Sequence, residues 1–464
     1  MKKFPEGFAW GTSTSSYQIE GAPLADGKGP SIWDTFTQIP GKVANGESGE
    51  IAVEHYYKYK EDIALMAAMG LQNYHLSISW SRVQAQGRGA ANAKGIQFYS
   101  DVIDELLKNG ITPWITLYHW DIPTALQLET DGFLNPDIAG YFADYAELCF
   151  KHFGDRVKNW MTFNEPWVYS ILCHGHGVLA PGRKSNSEPY IVGHNILRAH
   201  GKAVDVDRRK YQEEQKGKIG IINNCDWREP YTDSEEDKAA AQRSLEFFLG
   251  WFADPIFLGD YPEIMKKNVG DRLPKFSEED IKLIKGSSDF FGINHYSTAL
   301  VENADLNKTY EVNVYDNGCL FEDERVVLHA DPEWKKTEMG WNIVPDGFRK
   351  LLHWISERYD HPEIYLTENG VALTDEIIDG KVDDQQRIDF LEGYFSSAHQ
   401  AIEEGVNLRG YFVWSFIDNF EWALGYAKRF GLHHVDFETG VRTPKKSAKW
   451  YKEVMKNNGI DTSS

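Results

Sequence analysis

Val157-Lys158-Asn159-Trp160-Met161-Thr162-Phe163-Asn164-Glu165-Pro166 reads as a short apolar strand that ends in a cluster of polar groups. Val157, Trp160, Met161 and Phe163 suit a buried β-strand. Pro166 cannot continue it as a paired strand, so Asn164 and Glu165 stand at its mouth. A carboxylate there is costly unless it is paired or put to use. In a parallel α/β barrel the mouth of the strands is the face where chemistry is done. Glu165 is therefore read as a proton donor that needs a second carboxylate from elsewhere in the chain.

Outward from this stretch, strand-like and helix-like segments alternate. Short apolar strands are predicted at 8–10, 72–80, 111–119, 157–164, 218–224, 289–296, 363–369 and 408–415. Helices are predicted at 56–69, 94–108, 136–153, 190–215, 238–252, 345–359, 385–404 and 444–455. Several carry their own stop signals, such as Gly70, Gly110 and Gly154. Eight strands, each eventually followed by a helix and apolar on both faces, specify a (β/α)₈ TIM barrel. The whole chain, 1–464, is expected to be one domain. The segments 23–49, 174–189, 226–237 and 301–340 are too long for plain connections and are expected as loop insertions on the catalytic face.

Composition narrows the class of partner. The net charge of −21 disfavours nucleic acid and anionic membranes. No 18-residue apolar run is present, and MKKFPEGFAW is not the start of a signal peptide. Cys149, Cys173, Cys225 and Cys319 show no paired spacing, so free thiols in a reducing compartment are expected. A cytoplasmic protein without a cofactor or metal follows, with a homo-oligomer left open. The 15 tryptophans exceed what a core needs and suit a ligand cleft as well as packing.

At the C-terminal ends of the predicted strands stand Gln18, Trp80, His119-Trp120-Asp121, Asn164-Glu165, Asn224, Asn294 with Tyr296, Glu368-Asn369, and Trp414. Amides, an imidazole, a phenol, indoles and two carboxylates are the groups that hold a neutral polyol: amides and His for hydroxyls, Trp for the apolar face of a pyranose. Glu165 and Glu368, at the ends of the fourth and seventh strands, face each other across the mouth. Such a pair cleaves glycosidic bonds, with retention when about 5 Å apart and inversion when wider.

These residues resemble glycoside hydrolase family 1, the β-glucosidase family. The resemblance runs along almost the whole chain through FAWGTSTSSYQIEGA (8–22), YHWDIPTALQ (118–127), TFNEP (162–166), APG (180–182), DFFGINHYS (289–297), LTENG (366–370), VWSFIDNFEWALGY (413–426) and RFGLHHVDF (429–437). It implies a β-glucosidase acting on terminal β-D-glucosyl groups of small glycosides, such as cellobiose and aryl glucosides, by retaining double displacement, and a place in carbohydrate and cellulose breakdown. Glu165 would be the acid/base and Glu368 the nucleophile, with Tyr296 donating to it. Gln18, His119, Asn164, Glu421 and Trp422 would bind sugar hydroxyls, and Trp414 would form the floor. Asn294 would support the acid/base side, and Trp334 would border the aglycone. A carboxylate at Glu421 disfavours 6-phosphosugars, whose charge it would repel. Glucosyl, galactosyl and fucosyl groups all remain open.

The chain departs from the family pattern at its second strand. The usual YRFSISWSR is here Tyr74-His75-Leu76-Ser77-Ile78-Ser79-Trp80-Ser81-Arg82. The missing Arg normally helps hold the nucleophile. His75 is shorter and largely neutral near pH 7. Either Glu368 is less firmly held and activity is weaker or more pH-sensitive, or His75 serves by hydrogen bonding. Phe133 and Ala85, where Trp and Pro are usual, are expected to affect packing and loop stiffness.

A different class of function is a barrel that binds sugar and turns it over weakly, an idea fed by His75 alone. Retention of two like charges at the reactive centre argues against it. His174-Gly175-His176 has metal-ligand spacing but lies in a loop after the fourth strand.

Overall fold

The computed structural model describes residues 1–314 and 318–462. Eight parallel strands close into a barrel: β1 (Ala9–Ser13), β2 (Asn73–Ser77), β3 (Thr112–Tyr118), β4 (Asn159–Asn164), β5 (Lys218–Asn224), β6 (Phe291–Asn294), β7 (Ile364–Asn369) and β8 (Leu408–Trp414). They follow chain order round the barrel, and β8 closes it on β1, with Gly410 opposite Ala9 and Trp414 opposite Ser13.

Helices wrap the outside because each carries an apolar stripe. Ala93–Lys108 buries Phe98, Val102, Ile103 and Leu106, and Gly110, at φ +72°, turns the chain into β3. Fully burying each such side chain stabilises the fold by about 1.5–3 kcal/mol.

Inside the barrel, Trp114, Met161, Ile222, Phe290 and Phe412 form a separate apolar plug. Gly11 belongs to this packing: a Cβ there would lie 2.5 Å from the Phe412 ring and 2.8 Å from the Asn73 carbonyl. Towards the strand mouths the interior turns polar, through buried Ser13, His75, Thr116, Asn294 and Thr367. This polar layer supports the candidate site.

The structure corrects several sequence expectations. β2 stops at Ser77, and Trp80 instead opens a one-turn helix, Trp80–Val83, with its ring stacked on Tyr145 at 4.8 Å. Trp80 is thus part of the packing outside the strands and not of the mouth.

The helix expected at 190–215 runs Glu188–Lys210 and breaks at Tyr211 before a single turn, Gln212–Gln215. The one expected at 238–252 starts at Glu235, where Ser234 caps it, and passes through a wider turn at Glu246–Gly250 into Trp251–Leu258.

The insertions expected as loops at 226–237 and 301–340 contribute to a three-stranded sheet of Val326–His329, Thr298–Asn303 and Trp227–Pro230. Val301 and Val326 of that sheet pack on Ala240 and Ala241 of a neighbouring helix. Trp227–Pro230 pairs with Thr298–Asn303 across about seventy residues of sequence, a pairing that local periodicity does not reveal. Residues 315–317 of the second insertion lie outside the described residues.

Candidate active site

The strand mouths surround a cavity of about 920 Å³, measured out to its open mouth. Gln18, His119, Trp120, Glu165, Asn224, Asn294, Tyr296, Glu368, Trp414, Glu421 and Trp422, all singled out from the sequence, line it. Three of these, Trp120, Glu165 and Trp422, sit at positive φ (71°, 50° and 49°). Such a conformation is uncommon for side chains of this size and clusters where structure is held for function.

Glu165 follows β4, and Pro166 begins the helix Pro166–His174. The Glu165 backbone N–H donates to the Ile222 carbonyl at 2.9 Å, which holds the residue against β5. Its Oε2 accepts from Asn294 Nδ2 at 2.7 Å.

Glu368, in β7, accepts the Tyr296 hydroxyl on Oε1 at 2.7 Å and Asn294 Nδ2 on Oε2 at 2.8 Å. One nitrogen thus reaches both carboxylates. Their Oε2 atoms can be no farther apart than those two distances laid end to end, about 5.5 Å. The Thr367 hydroxyl donates to Asn294 Oδ1 at 2.6 Å and so turns the amide with its N–H groups towards the carboxylates.

Burial, with the Asp226 charge adding to it, pushes Glu165 up to about 7 against the pull of the Asn294 and Asn164 amides. Burial and the Glu165 charge push Glu368 upward as well, opposed by Tyr296. The two titrate as a unit and retain a proton near neutrality. Glu368 faces a hydroxyl and an amide donor, Glu165 the amides alone, so the negative charge is better solvated on Glu368 and the proton rests on Glu165.

On the opposite wall, His119 Nε2 accepts from Asn164 Nδ2 at 3.1 Å, which puts the ring proton on Nδ1. That Nδ1 is buried without a partner among the described residues, as are Asn224 Oδ1 and Glu421 Oε2. Burial holds the His119 ring neutral, well below the usual imidazole range. Burial pushes Glu421 up to about 8, tempered by Trp414 and reinforced by Glu165.

Gln18, on the turn Ser16–Ile19, donates to the Phe420 carbonyl at 2.9 Å and to Asn419 at 3.2 Å, bracing the loop that carries Glu421 and Trp422. The same loop is pinned by Asp418, which accepts from Lys445 and Arg429, both at 2.7 Å, and from the Gly431 N–H at 2.9 Å.

Asn164 sits behind the cavity wall. Its amide is committed to His119 and Asn294, and its carbonyl accepts the Trp120 indole at 2.8 Å. Among the described residues lining the cavity, Trp334 does not appear; it lies after a turn closed by its N–H to Asp331. Met339 of the same insertion and Trp341 just after it line the cavity instead, with Trp341 edge-on to Tyr296 at 5.2 Å.

His75 makes no direct support for Glu368, because both ring nitrogens are committed, Nδ1 to Ser13 Oγ at 3.0 Å and Nε2 to Thr116 Oγ1 at 2.5 Å. The His174 and His176 rings point to separate carbonyls, of Tyr169 and Gly318. All four cysteines are free and buried.

Sequence reasoning missed Val168, Leu172, Leu179, Asp226, Met339 and Trp341 as lining residues. Val168 and Leu172 carried a usable signal. They stand three and seven residues after Glu165, one face of the helix that Pro166 starts.

Residues 1–460 match the family model described as glycosyl hydrolase family 1. β-Glucosidase 42 of Arabidopsis thaliana is 46% identical, over 98% of this chain and 94% of its own. β-Glucosidase A of Thermotoga maritima is 46% identical, over 99% of each chain. A solved structure of a Thermotoga maritima β-glucosidase in complex with glucoimidazole superimposes with a TM-score of 0.92 at 46% identity, covering 99% of this chain and all of the other.

Proposed function

The chain belongs to glycosyl hydrolase family 1, and we propose that it is a retaining β-glycosidase that removes terminal β-D-glucosyl groups from small glycosides. One observation carries the retaining assignment: a single amide nitrogen bonds both carboxylates, which limits their separation to about 5.5 Å. That spacing leaves no room for a water between carboxylate and sugar, as inversion would need.

In the first step Glu368 attacks the anomeric carbon while the Glu165 proton passes to the departing oxygen. The C–O bond to the aglycone breaks, and a glycosyl ester forms on Glu368. In the second step Glu165, now a carboxylate, takes a proton from water. The water oxygen bonds the anomeric carbon, and Glu368 leaves as a carboxylate. Tyr296 and Asn294 stabilise the charge that returns to Glu368.

The unpartnered His119 Nδ1–H and the Glu421 carboxyl are set to receive sugar hydroxyls, since a buried polar atom without a partner costs on the order of 1–3 kcal/mol. Trp414 and Trp422 supply apolar faces for the ring, with Gln18 and Trp120 beside them. Met339 and Trp341 shape the aglycone side. The Thermotoga maritima complex with glucoimidazole, a sugar-like small molecule, supports a small glycoside as substrate. Cellobiose and aryl β-glucosides fit this reading, and the four free cysteines support a cytoplasmic setting. Against the alternative of a catalytically weak sugar-binding barrel stands the hydrogen bonding of His75 by its own neighbours, which leaves no unsatisfied group there.

Proton NMR of aryl β-D-glucoside cleavage tests the proposal. β-Glucose should appear first and α-glucose only by mutarotation. Initial α-glucose, or no turnover by the folded protein, would overturn it.

A further inference from the structure

Ser13, His75, Thr116 and Thr367 come from four strands, β1, β2, β3 and β7, and all are buried in the polar layer beneath the carboxylates. Proton counting sets the direction of each bond between them. Ser13 has one hydroxyl proton and gives it to the Thr367 carbonyl at 2.6 Å. Towards His75 Nδ1, at 3.0 Å, Ser13 can only accept, so Nδ1 carries the proton. In a neutral ring Nε2 is then an acceptor, and the Thr116 hydroxyl donates to it at 2.5 Å. The ring is neutral because its burial is complete and holds its pKa near 3.

The chain of bonds ends on the peptide that joins Thr367 to Glu368. Thr367 also orients Asn294 through its hydroxyl, at 2.6 Å, and Asn294 is the donor shared by Glu165 and Glu368. We propose that His75 is a positioning residue: a neutral crossbar that ties Thr116 to Ser13, and through Ser13 holds the Thr367–Glu368 peptide and the shared Asn294 donor in place. The neutral imidazole completes this chain by donating to Ser13 on one side and accepting from Thr116 on the other. The inference rests on the roles proposed above for Glu165 and Glu368.

The charged and titratable groups around the site define its pH readout. Glu368 faces Glu165, Glu421 and Tyr296. Glu165 faces Asp226, and His75 faces His119. A crossbar that slackens weakens the donors on Glu368, so its pKa rises and the acid limb of kcat/KM moves to higher pH.

The test compares His75→Phe, Ser13→Ala and Thr116→Val with His75→Asn, whose amide keeps a donor towards Ser13. For an aryl glucoside, His75→Phe should lower kcat by about tenfold or more with KM within about twofold, the scale expected when catalytic groups shift by a fraction of an ångström. The acid limb should rise, and His75→Asn should recover part of both effects. A folded His75→Phe enzyme with unchanged kcat and pH profile overturns the crossbar. If that variant does not fold, Thr116→Val carries the same decision at nearly constant volume. Glu368→Gly separates the two levels. Loss of its turnover with rescue by azide leaves the functional reading intact while the His75 series decides the crossbar. Persisting turnover in Glu368→Gly overturns the functional reading itself.

Discussion

Glu165 and Glu368 are held within about 5.5 Å of each other, oxygen to oxygen, because both bond the same nitrogen of Asn294. Two buried carboxylates at this distance repel, and each raises the proton affinity of the other. The shared amide is the group that makes their proximity tolerable. Thr367, which donates to its oxygen, helps set its orientation.

Asn294→Ala removes that donor from both sites. Loss of one preorganised donor to a developing charge is expected to lower kcat by about 10²–10³. The acid limb of the pH profile should rise with it, since Glu368 keeps only Tyr296. Steady-state kinetics across pH checks both.

In the proposed mechanism Glu165, whose carboxyl burial pushes up to about 7, carries its proton into the first step. Below that pH the acid is loaded; above it kcat/KM should fall as the proton is lost. Glu165→Ala should abolish this alkaline limb and slow substrates with poor leaving groups by about 10²–10⁴. Activated dinitrophenyl glucosides should suffer far less, because their leaving group needs no proton.

Tyr296→Phe deletes one hydroxyl from Glu368 and leaves the ring packed against Trp341. A hydrogen bond to a charged group contributes about 1.5–3 kcal/mol, so a loss of roughly ten- to hundredfold in the rate of glycosyl transfer is expected. Burst kinetics with an aryl glucoside distinguishes this step from the hydrolysis that follows.

Asp418 is fully buried between Lys445 and Arg429. Burial opposes its charge, but Lys445 and then Arg429 hold the carboxyl below its usual range. A carboxyl depressed on folding contributes stability above its unfolded pKa and loses it as pH falls through the folded value. Lys445→Met leaves Asp418 with Arg429 alone and takes a partner from Asp375, and it should cost up to about 3–5 kcal/mol. Urea unfolding at neutral pH measures that cost, and the wild-type protein should lose part of its stability under strongly acid conditions.

Trp341→Ala should open the proposed aglycone wall without removing any hydrogen-bond donor of the carboxylates. KM for aryl glucosides should rise severalfold, consistent with about 1 kcal/mol or more for a lost aromatic contact. Glucosyl fluoride, which has almost no aglycone, should be nearly unaffected. Equal losses on both substrates would place Trp341 outside the aglycone wall.

Much of this was legible in the sequence. The alternation of short two-faced apolar strands with amphipathic helices determines the barrel, because only a parallel sheet covered by helices buries both strand faces. Strand order then dictates which residues meet. Glu165 follows β4 and Glu368 lies at the end of β7, so they had to face one mouth, and Gln18, His119, Asn294, Tyr296 and Trp414 had to ring it. What ends each strand was less legible. Trp80 follows β2 after only two residues, yet a one-turn helix carries its ring to Tyr145, and no local signal separates that outcome from a longer strand.

By itself the sequence determined the barrel, the two carboxylates and the strand ends that surround them. The tertiary structure alone decided three things. It placed Trp341 and not Trp334 on the cavity wall, because the path of a long insertion depends on the three-stranded sheet beneath it. It put Asn164 behind the wall, because its amide is taken up by His119 and Asn294. It kept His75 from contacting Glu368 directly, because both ring nitrogens find hydroxyls on β1 and β3. Periodicity is local, and a chain can show it before folding. Which polar atom finds which partner depends on groups tens or hundreds of residues apart, and it is settled only when the strands close.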